Sequence, residues 1–279
     1  HDRLGDAQDR ILDVRDPMEL NLSGKVAIVT GPAKGMGAAI TLALAREGVD
    51  LALAGRDMEA IAPVADEARK LGRKAIAVKC DVTRPAEVEA MVKKTLAGLA
   101  GRIDILVNVA GGRGPLETAA WDTTPEAFDE VLELNMKGCF LTMRAVAATM
   151  RQQRSGKIVN IGGTFGLRGR ALRMAYSASK WGLRGITKAF ALELGPYDVN
   201  VNSVCPGMVD GPRFRKVCGE MAKRLGISVE EAMRRHAEEY ALKRVSTDQD
   251  IAAAVLFFAS DASRQITGQD LAVDGGWVI

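Results

Sequence analysis

A chain of 279 residues can form one large domain or two small ones, and it can bury a full hydrophobic core without disulfide bonds. Its 47% hydrophobic and 26% charged residues are ordinary for a globular protein, and a net charge of only +3 argues against a nucleic-acid partner. Four cysteines without CxxC spacing predict reduced thiols and no metal site, and no apolar run reaches the roughly 18 residues of a membrane helix.

The first 24 residues differ from the rest of the chain. They are polar, mixed in charge and without clear periodicity, and they do not resemble a secretory signal peptide. We expect residues 1–24 to form an extended or partly helical N-terminal arm. Together with the reduced cysteines, this start predicts a cytoplasmic protein.

From Lys25 onward, short apolar runs alternate with amphipathic stretches of about ten to twenty residues. Continuous apolar runs rich in Val and Ile are typical of parallel strands that are covered on both faces. The predicted buried strands are 26–30, 51–55, 75–79, 103–108, 157–161, 199–204 and 271–273. This alternation predicts one doubly wound, Rossmann-type α/β domain over residues 25–279.

Several stretches between the strands begin with helix-start signals. Prolines at the first helical position and side chains that cap free N–H groups mark such starts. The signals are Thr83 before Pro85 and Glu87, Thr124 before Pro125, Ser228 with Glu231, and Thr247 with Asp250. One long helical insertion, residues 208–245, interrupts the strand–helix alternation before the last helix.

A glycine-rich turn follows the first predicted strand. Its sequence, Gly-Pro-Ala-Lys-Gly-Met-Gly, occupies residues 31–37 and opens an amphipathic helix. Such a turn lets backbone N–H groups approach a pyrophosphate at a helix N-terminus, where the helix dipole favours an anion. Glycines also occur in ordinary turns, but the place between strand and helix favours a dinucleotide site. The candidate cofactor residues here are Gly31, Lys34, Gly35, Met36 and Gly37.

The end of the second predicted strand bears on the choice between NADP(H) and NAD(H). Sites selective for NAD carry an acidic residue about 20 residues past the glycines, which binds the ribose 2′-hydroxyl. Here Gly55 stands at that place and Arg56 follows it, with Lys34 in the glycine turn. Two cations suit a 2′-phosphate, so we expect NADP(H) to be favoured over NAD(H). The alternative is that both are solvated charges, with Arg56 paired to Asp57.

Tyr176 and Lys180 lie four residues apart in Tyr-Ser-Ala-Ser-Lys, at the start of a predicted helix over 175–194. Residues at this spacing share a helix face, and an ammonium beside a phenol favours the phenolate. Such a tyrosine can act as an acid or a base. By spacing alone, a Tyr/Lys pair on a helix is usually a surface feature.

Four motifs occur in a fixed order along the chain. They are the glycine turn, Asn-Val-Ala-Gly at 108–111, the Tyr176/Lys180 pair and Pro-Gly at 206–207. Together they resemble the short-chain dehydrogenase/reductase family over residues 22–279. The resemblance implies a seven-stranded Rossmann sheet, proton transfer by Tyr176, and a Lys180 that binds the nicotinamide ribose and favours the ionised tyrosine.

The resemblance extends to further positions. Asn135 matches an asparagine that anchors a water in the proton relay, Asp81 matches an aspartate that contacts adenine, and Asn108 matches a structural and cofactor-contacting position. The alternative for Asn135 is a polar residue inside a helix that bonds to backbone. The remaining candidate cofactor contacts are Val82, Ala110, Gly111, Pro206, Gly207 and Val209.

The sequence departs from this family thirteen residues before the tyrosine, where a serine usually stands. Here that residue is Gly163, which has no hydroxyl to hold a carbonyl oxygen. Thr164, one residue along, could substitute if the turn is shifted. Loss of one such donor typically costs about 10²–10³ in rate. The resemblance implies an oxidoreductase that transfers a hydride between nicotinamide and a small-molecule carbonyl compound or secondary alcohol. Because of Gly163, the alternative is a non-catalytic nucleotide-binding regulator on the same fold.

Cationic residues cluster on the predicted substrate side. Arg168, Arg170 and Arg173 precede Tyr176, Arg113 follows the fourth strand, and the 208–245 insertion carries more Lys and Arg than Asp and Glu. Loops after parallel strands gather where ligands bind, so an anionic substrate is one expectation and solvated charge is the other. The insertion resembles the family's substrate-covering segment. The helices predicted over 124–154 and 175–194 are apolar around much of their surface, which predicts that they are buried. The resemblance implies that they pair across a two-fold axis, so we expect a homotetramer, or at least a dimer, with the apolar residues 276–279 at another interface.

Overall fold

The computed structural model describes residues 19–278. Residues 1–18, most of the predicted arm, and Ile279 lie outside the described residues. The end of the arm joins the domain: Leu22 is buried in the main core, and the Gly24 N–H donates to the Gly48 carbonyl (2.9 Å).

Seven parallel strands form one sheet in the order β3-β2-β1-β4-β5-β6-β7. This confirms the predicted single Rossmann-type domain. The strands are β1 (Val26–Thr30), β2 (Asp50–Gly55), β3 (Ala75–Lys79), β4 (Ile105–Asn108), β5 (Gly156–Ile161), β6 (Val199–Pro206) and β7 (Asp270–Val273). The direction of winding reverses between β1 and β4, so a crevice for a ligand is expected beyond their carboxyl ends.

Helices cover both faces of the sheet. They are α1 (Gly35–Arg46), α2 (Met58–Lys70), α3 (Pro85–Gly98), α4 (Pro125–Leu132), α5 (Gly138–Gln153), α6 (Met174–Leu194), α7 (Pro212–Leu225), α8 (Val229–Glu238) and α9 (Asp248–Ala259). Alternate residues of β1 point to opposite sides, so Ala27 and Val29 pack with α1, α2 and α9 while Val26 and Ile28 pack with α3, α5 and α6.

Two expectations about the strands and helices are wrong. The last strand is an edge strand rather than a buried one, because β7 has a neighbour on one side only and Leu271 is 39% exposed. Thr83 is not the cap of α3: Arg84 holds the N-cap position, and the Thr83 hydroxyl instead donates to the Asp81 carboxylate (2.8 Å).

The other helix starts follow the sequence signals to different degrees. Thr124 caps α4, and Thr247 with Asp250 forms a complete capping box on α9. Ser228 accepts from the Glu231 N–H (3.1 Å), but the Glu231 carboxylate pairs with arginines on α8, so only half of that box is present. The helix predicted over 124–154 is two helices joined by a π-helical turn, Glu133–Lys137.

The 208–245 insertion forms α7 and α8, which pack on each other around a small core of their own. That core contains Phe214, Cys218, Ala222 and Ala232. A single parallel bridge between Val209 and Ser246 joins the two ends of the insertion at the carboxyl edge of the sheet. The insertion therefore lies beside the ends of β6 and β7.

Candidate active site

The predicted motifs meet along the carboxyl ends of β1, β4, β5 and β6, which are neighbours in the sheet. The Thr30 hydroxyl at the end of β1 accepts from the N–H groups of Val109 and Ala110 (3.1 Å each). The Gly31 N–H donates to the Ala54 carbonyl at the end of β2 (2.9 Å). These bonds fix the glycine turn against the loop after β4.

The glycine turn fits the phosphates of a dinucleotide. A Cβ at Gly37 would overlap the carbonyl oxygen of Gly31, so only a glycine lets the first turn of α1 pack this closely on the glycine turn. The first turn of α1 contains no acidic residue, and the N-cap residue Lys34 makes no side-chain capping bond. Free N–H groups at a helix N-terminus, without a capping carboxylate, leave room for an anion.

Lys34 and Arg56 are both exposed, and neither forms an ion pair within residues 19–278. The Asp57 carboxylate does not hold Arg56: it accepts from the Ala60 N–H (3.0 Å) and so caps α2. The expected pairing of Arg56 with Asp57 is therefore not found, and the two cations remain exposed. Both cations are available to a phosphate near the end of β2.

Asp81 and Val82 follow β3, on the same side of the site as Arg56. The Asp81 carboxylate accepts from the backbone and hydroxyl of Thr83 (3.0 and 2.8 Å). Burial alone would raise the pKa of Asp81, but the bonds from Thr83 and the charges of Arg56 and Arg84 together lower it. Val82 is buried against Gly138 at the start of α5.

The Asn108 side chain serves the fold rather than a ligand. Its amide nitrogen donates to Asn160 Oδ1 (2.9 Å), and its oxygen accepts from the Thr142 hydroxyl (2.7 Å). Asn160 continues the chain of bonds to Thr187 on α6 (2.9 Å). This buried network joins β4, β5, α5 and α6, so any cofactor contact by Asn108 would have to use its backbone.

Tyr176 and Lys180 lie on the first turns of α6, at the end of β5. Lys180 is buried, and its ammonium donates to the Ile161 carbonyl (2.8 Å) and lies 5.7 Å from the centre of the Tyr176 ring. Tyr176 remains partly exposed. An ammonium with one fixed bond keeps two further N–H donors for a ligand.

Asn135 lies in the π-helical turn between α4 and α5 and is fully buried. Its side chain exchanges two hydrogen bonds with the Gly112 backbone (2.7 and 2.9 Å) and donates to the Ser179 hydroxyl (3.0 Å). Ser179 in turn donates to the Tyr176 carbonyl (2.8 Å). The side-chain donors of Asn135 are all used, and they tie the loop after β4 to the turn that carries Tyr176.

Gly163 holds the position next to the tyrosine hydroxyl. A Cβ built on Gly163 would lie 3.3 Å from Tyr176 Oη, and the φ of Gly163 is +155°, where L side chains are rarely found. Thr164 follows as the buried first residue of a single 3₁₀ turn. Glycine therefore suits this position for two reasons: the backbone conformation disfavours a side chain, and a Cβ would lie close to the tyrosine hydroxyl.

Pro206, Gly207 and Val209 line the start of the insertion, where the Gly207 N–H donates to the Val273 carbonyl (3.2 Å). Asp248, the first residue of α9, was not among the residues predicted for this site. Its carboxylate lies within 4 Å of the Cβ position of Gly35 in the glycine turn. Burial, with the charge of Asp210, raises the pKa of Asp248.

Two aromatic residues complete the substrate side. Phe165 meets Tyr176 edge to face, with 6.3 Å between ring centres, and Trp277 packs on Phe165 at 5.7 Å. Trp277 also stacks on Tyr240 after α8, and Glu239 accepts from its indole N–H (3.0 Å). The C-terminal Trp277 is thus buried within its own chain, and only the long-range fold brings it to the site.

A family model described as Enoyl-(Acyl carrier protein) reductase matches residues 31–278. A galactitol 2-dehydrogenase from Agrobacterium fabrum (strain C58 / ATCC 33970) is 36% identical over 260 residues, which cover 92% of this chain and 98% of that protein. The chain belongs to the short-chain dehydrogenase/reductase family. Like its relatives named dehydrogenases and ketoacyl reductases, this short-chain dehydrogenase/reductase is an oxidoreductase, which favours the enzyme over the non-catalytic regulator.

Two solved structures that are similar to this chain contain different nicotinamide cofactors. A xylitol dehydrogenase bound to NAD⁺ is 31% identical, with a TM-score of 0.85 over 92% of this chain and 100% of that chain. An actinorhodin polyketide ketoreductase variant with NADPH is 33% identical, with a TM-score of 0.84 over 91% of this chain and 97% of that chain. One of these neighbours binds NAD⁺ and the other binds NADPH, so the two structures support either cofactor equally.

Within residues 19–278, no helix is both long and apolar enough to cross a membrane.

Proposed function

We propose that this protein is an NADP(H)-dependent enzyme that interconverts a small carbonyl compound and its secondary alcohol, with Tyr176 as the acid and base. The observation that carries the proposal is the partly exposed Tyr176, whose hydroxyl lies beside Gly163 and whose ring centre is 5.7 Å from the buried ammonium of Lys180. The nicotinamide cofactor, when bound, supplies or accepts the hydride at the carbonyl carbon.

The side chains then have separate roles. In reduction, the Tyr176 hydroxyl gives its proton to the carbonyl oxygen as the carbon gains hydride, and in oxidation the proton returns. Lys180 stabilises the phenolate and binds ribose with its remaining N–H donors. Thr164 is the proposed second donor to the carbonyl oxygen, and Asn135 holds the turn of Tyr176 in place through Ser179.

The remaining proposed cofactor contacts follow from position. Lys34 and Arg56 would bind the 2′-phosphate, since no acidic residue stands at Gly55 and Asp57 is used as a cap. The pyrophosphate would bind the free N–H groups of Gly35, Met36 and Gly37 at the start of α1. Asp81 with Val82 would border the adenine, and the loops at Ala110–Gly111 and Pro206–Val209 would border the nicotinamide half.

The cofactor preference is tested by dissociation constants for NADPH and NADH at one ionic strength. We expect tighter binding of NADPH, and the double change Lys34→Ala/Arg56→Ala should weaken NADPH while leaving NADH nearly unchanged. Arg46→Ala/Lys93→Ala removes the same charge from exposed sites elsewhere and serves as the control. Tighter binding of NADH by the unaltered protein would overturn the preference.

The acid/base role is tested by Tyr176→Phe, which keeps the ring but removes the exchangeable proton. Turnover of a ketone panel, followed by NADPH absorbance, should be lost while NADPH affinity stays nearly unchanged. Lys180→Ala should weaken both turnover and binding, because Lys180 is proposed to touch both partners. Full activity of Tyr176→Phe would refute the mechanism.

A cytoplasmic location and a homotetramer are part of the same proposal. All four cysteines are free and buried, as suits a reducing compartment. The support for assembly is apolar surface on α5 and α6, where Phe140, Trp181 and Leu192 are exposed.

A further inference from the structure

A row of aromatic rings leads away from Tyr176 on the substrate side. Tyr176, Phe165 and Trp277 contact one another in series, with 6.3 Å and 5.7 Å between successive ring centres. The row runs from the reacting hydroxyl to the C-terminal segment that packs on α8. The rings are tilted against one another, and together they form an apolar wall next to the place where a carbonyl compound would bind.

Each ring of this row carries an arginine. The guanidinium carbons lie over the ring centres at 4.7 Å for Arg168 on Trp277, 5.8 Å for Arg170 on Phe165 and 5.1 Å for Arg173 on Tyr176. Three guanidinium groups therefore line the wall, and we call them the arginine layer. The N–H groups of a guanidinium point outward within its own plane. A guanidinium that lies over an aromatic ring can therefore still donate these N–H groups to an anion.

The arginine layer lacks carboxylate partners at ion-pair distance in the described part of the chain. None of its three members forms an ion pair there. The Nε atoms of Arg168 and Arg173 are buried without a hydrogen-bond acceptor. Burial lowers the pKa of Arg173, although Tyr176 and Glu117 oppose that shift. Buried donors without acceptors are costly to the fold and usually have a partner.

A purely structural role explains only part of the arrangement. Arg173 Nη2 donates to the Arg113 carbonyl (3.1 Å), which anchors the loop after β4. Glu239, a nearby carboxylate, is bound to the Trp277 indole instead of to an arginine. These contacts leave both buried Nε donors of the layer unused.

The arginine layer is also separate from the proposed site of the cofactor's 2′-phosphate. That site follows β2, whereas the layer follows β5, and β1 and β4 lie between them. Three strand spacings of about 4.8 Å place the two cationic regions about 14 Å apart along the sheet edge. One anionic group cannot occupy both regions.

We propose that the arginine layer binds a carboxylate or phosphate group on the substrate, so that the enzyme prefers anionic carbonyl compounds to neutral ones. The inference rests on the proposed function, because it places the substrate carbonyl at Tyr176. Arg173, over the Tyr176 ring, is the member nearest the reacting hydroxyl and sets the specificity. Arg170 and Arg168 extend the site along the aromatic wall.

The test compares acids with their uncharged esters. The substrates are 3-oxobutanoate and 4-acetylbenzoate, each beside its methyl ester, and 4-acetylphenyl phosphate distinguishes a phosphate source from a carboxylate. We expect the best anionic substrate, whether one of the two acids or the phosphate, to have a kcat/KM at least ten times that of the methyl ester. Arg173→Gln and Arg170→Gln should lower the value for the anion about 10- to 100-fold and that for the ester less than threefold.

Arg46→Gln is the matched control, since it removes one exposed arginine at the far end of α1 and should change neither value. Arg173→Lys should recover part of the preference by restoring charge. The inference would be overturned if the unaltered protein had the same kcat/KM for the esters as for the acids. It would also be overturned if the arginine variants lost kcat/KM equally for both kinds of substrate.

A complete lack of turnover would instead count against the proposed function. The layer is then judged by calorimetric binding of 4-acetylbenzoate and 4-acetylphenyl phosphate to the NADP⁺-loaded protein. Binding that weakens in Arg173→Gln supports the layer, and no binding to the unaltered protein refutes it.

Discussion

In the proposed mechanism, Thr164 and Gly163 decide how a carbonyl oxygen is held beside Tyr176. Because Gly163 offers no hydroxyl, the buried Thr164 is the nearest replacement along the chain. Thr164→Val keeps the shape and removes the donor, so turnover should fall roughly 100-fold, the scale of one lost oxyanion donor. Steady-state kinetics measure the fall, with NADPH affinity as the control. Unchanged turnover would remove Thr164 from the mechanism.

Gly163→Ser is expected to harm the protein instead of restoring a serine-type site. The φ of +155° disfavours any side chain, at a cost of about 1–3 kcal/mol, and the new Cβ would lie 3.3 Å from Tyr176 Oη. Thermal unfolding should show a similar loss for Gly163→Ser and Gly163→Ala, and the serine should turn over no faster than the alanine. A serine variant that is faster than the unaltered enzyme would contradict this.

Asp248 places a negative charge beside the proposed pyrophosphate site. Its carboxylate lies within 4 Å of the Cβ position of Gly35, and burial with Asp210 raises its pKa. Asp248→Asn should therefore tighten NADPH binding severalfold at pH 7, because the repulsion is removed. The gain should shrink as the pH falls and Asp248 itself becomes neutral. Titration calorimetry at two pH values measures both effects, and weaker binding by the variant would show that the carboxylate helps to hold the cofactor.

Sequence reasoning located the residues whose roles depend on local spacing. The glycine turn and the Tyr176/Lys180 pair each lie within a few residues, so their geometry follows from one turn and one helix. It missed Asp248 and Trp277, because long-range packing alone brings α9 and the C-terminal segment to the site. It also could not show that Asn108 is fully used inside the fold, since its partners lie on β5 and α5.

At the level of elements, strand positions were predictable to within two residues at each end, because apolar runs mark both faces of a covered strand. The exposure of β7 was not, because it depends on the order of strands in the sheet. The π-helical turn at Asn135 was missed as well, since a single wide turn leaves the helical periodicity on both sides intact. Such turns often occur at functional sites, and this one carries the residue that ties α6 to the loop after β4.

Helix α8 contains the partly buried His236, which we expect to make the insertion sensitive to pH. Its ring lies among Phe214, Tyr240 and Trp277, and its Nε2 is 3.3 Å from the Tyr240 hydroxyl. Burial lowers the pKa of His236, Arg170 adds to that shift, and Glu239 opposes it. The unfolded chain therefore takes up a proton before the folded one does, so stability is full above about pH 6.5 and is lost as the pH falls below it.

This pH dependence can be assigned to one residue, because the only other histidine of the chain is His1. The thermal midpoint should fall between pH 6.5 and pH 5, and His236→Gln should reduce that fall by removing the titrating ring. Differential scanning calorimetry of both proteins across this range measures the difference. Equal slopes for the two proteins would show that carboxylates alone cause the loss.

For the whole molecule, the surface of α6 argues for assembly. Trp181 and Leu192 are eleven residues apart, which is three helical turns, so they lie on one stripe of the helix, 48% and 80% exposed. Phe140 on α5 is 38% exposed as well and meets Phe190 of α6 edge to face. Phe190 is nine residues after Trp181, which places it on the opposite side of α6, so this contact belongs to a second apolar patch. Exposed apolar surface of this kind is typical of sites of protein–protein contact. A self-complementary contact between two copies follows most simply from two-fold symmetry.

The double change Trp181→Glu/Leu192→Glu should therefore dissociate the assembly, because each new carboxylate would be buried without a partner in the interface. Light scattering at micromolar concentration should give the mass of four chains, or at least two, for the unaltered protein and a lower mass for the variant. Leu71→Glu is the matched control, since Leu71 is 40% exposed after α2 on the other face of the sheet. A monomeric mass for the unaltered protein would contradict the proposed assembly. A variant that keeps the full mass would show instead that the subunits meet elsewhere, and the exposed edge of β7 around Leu271 would then be the surface to alter next.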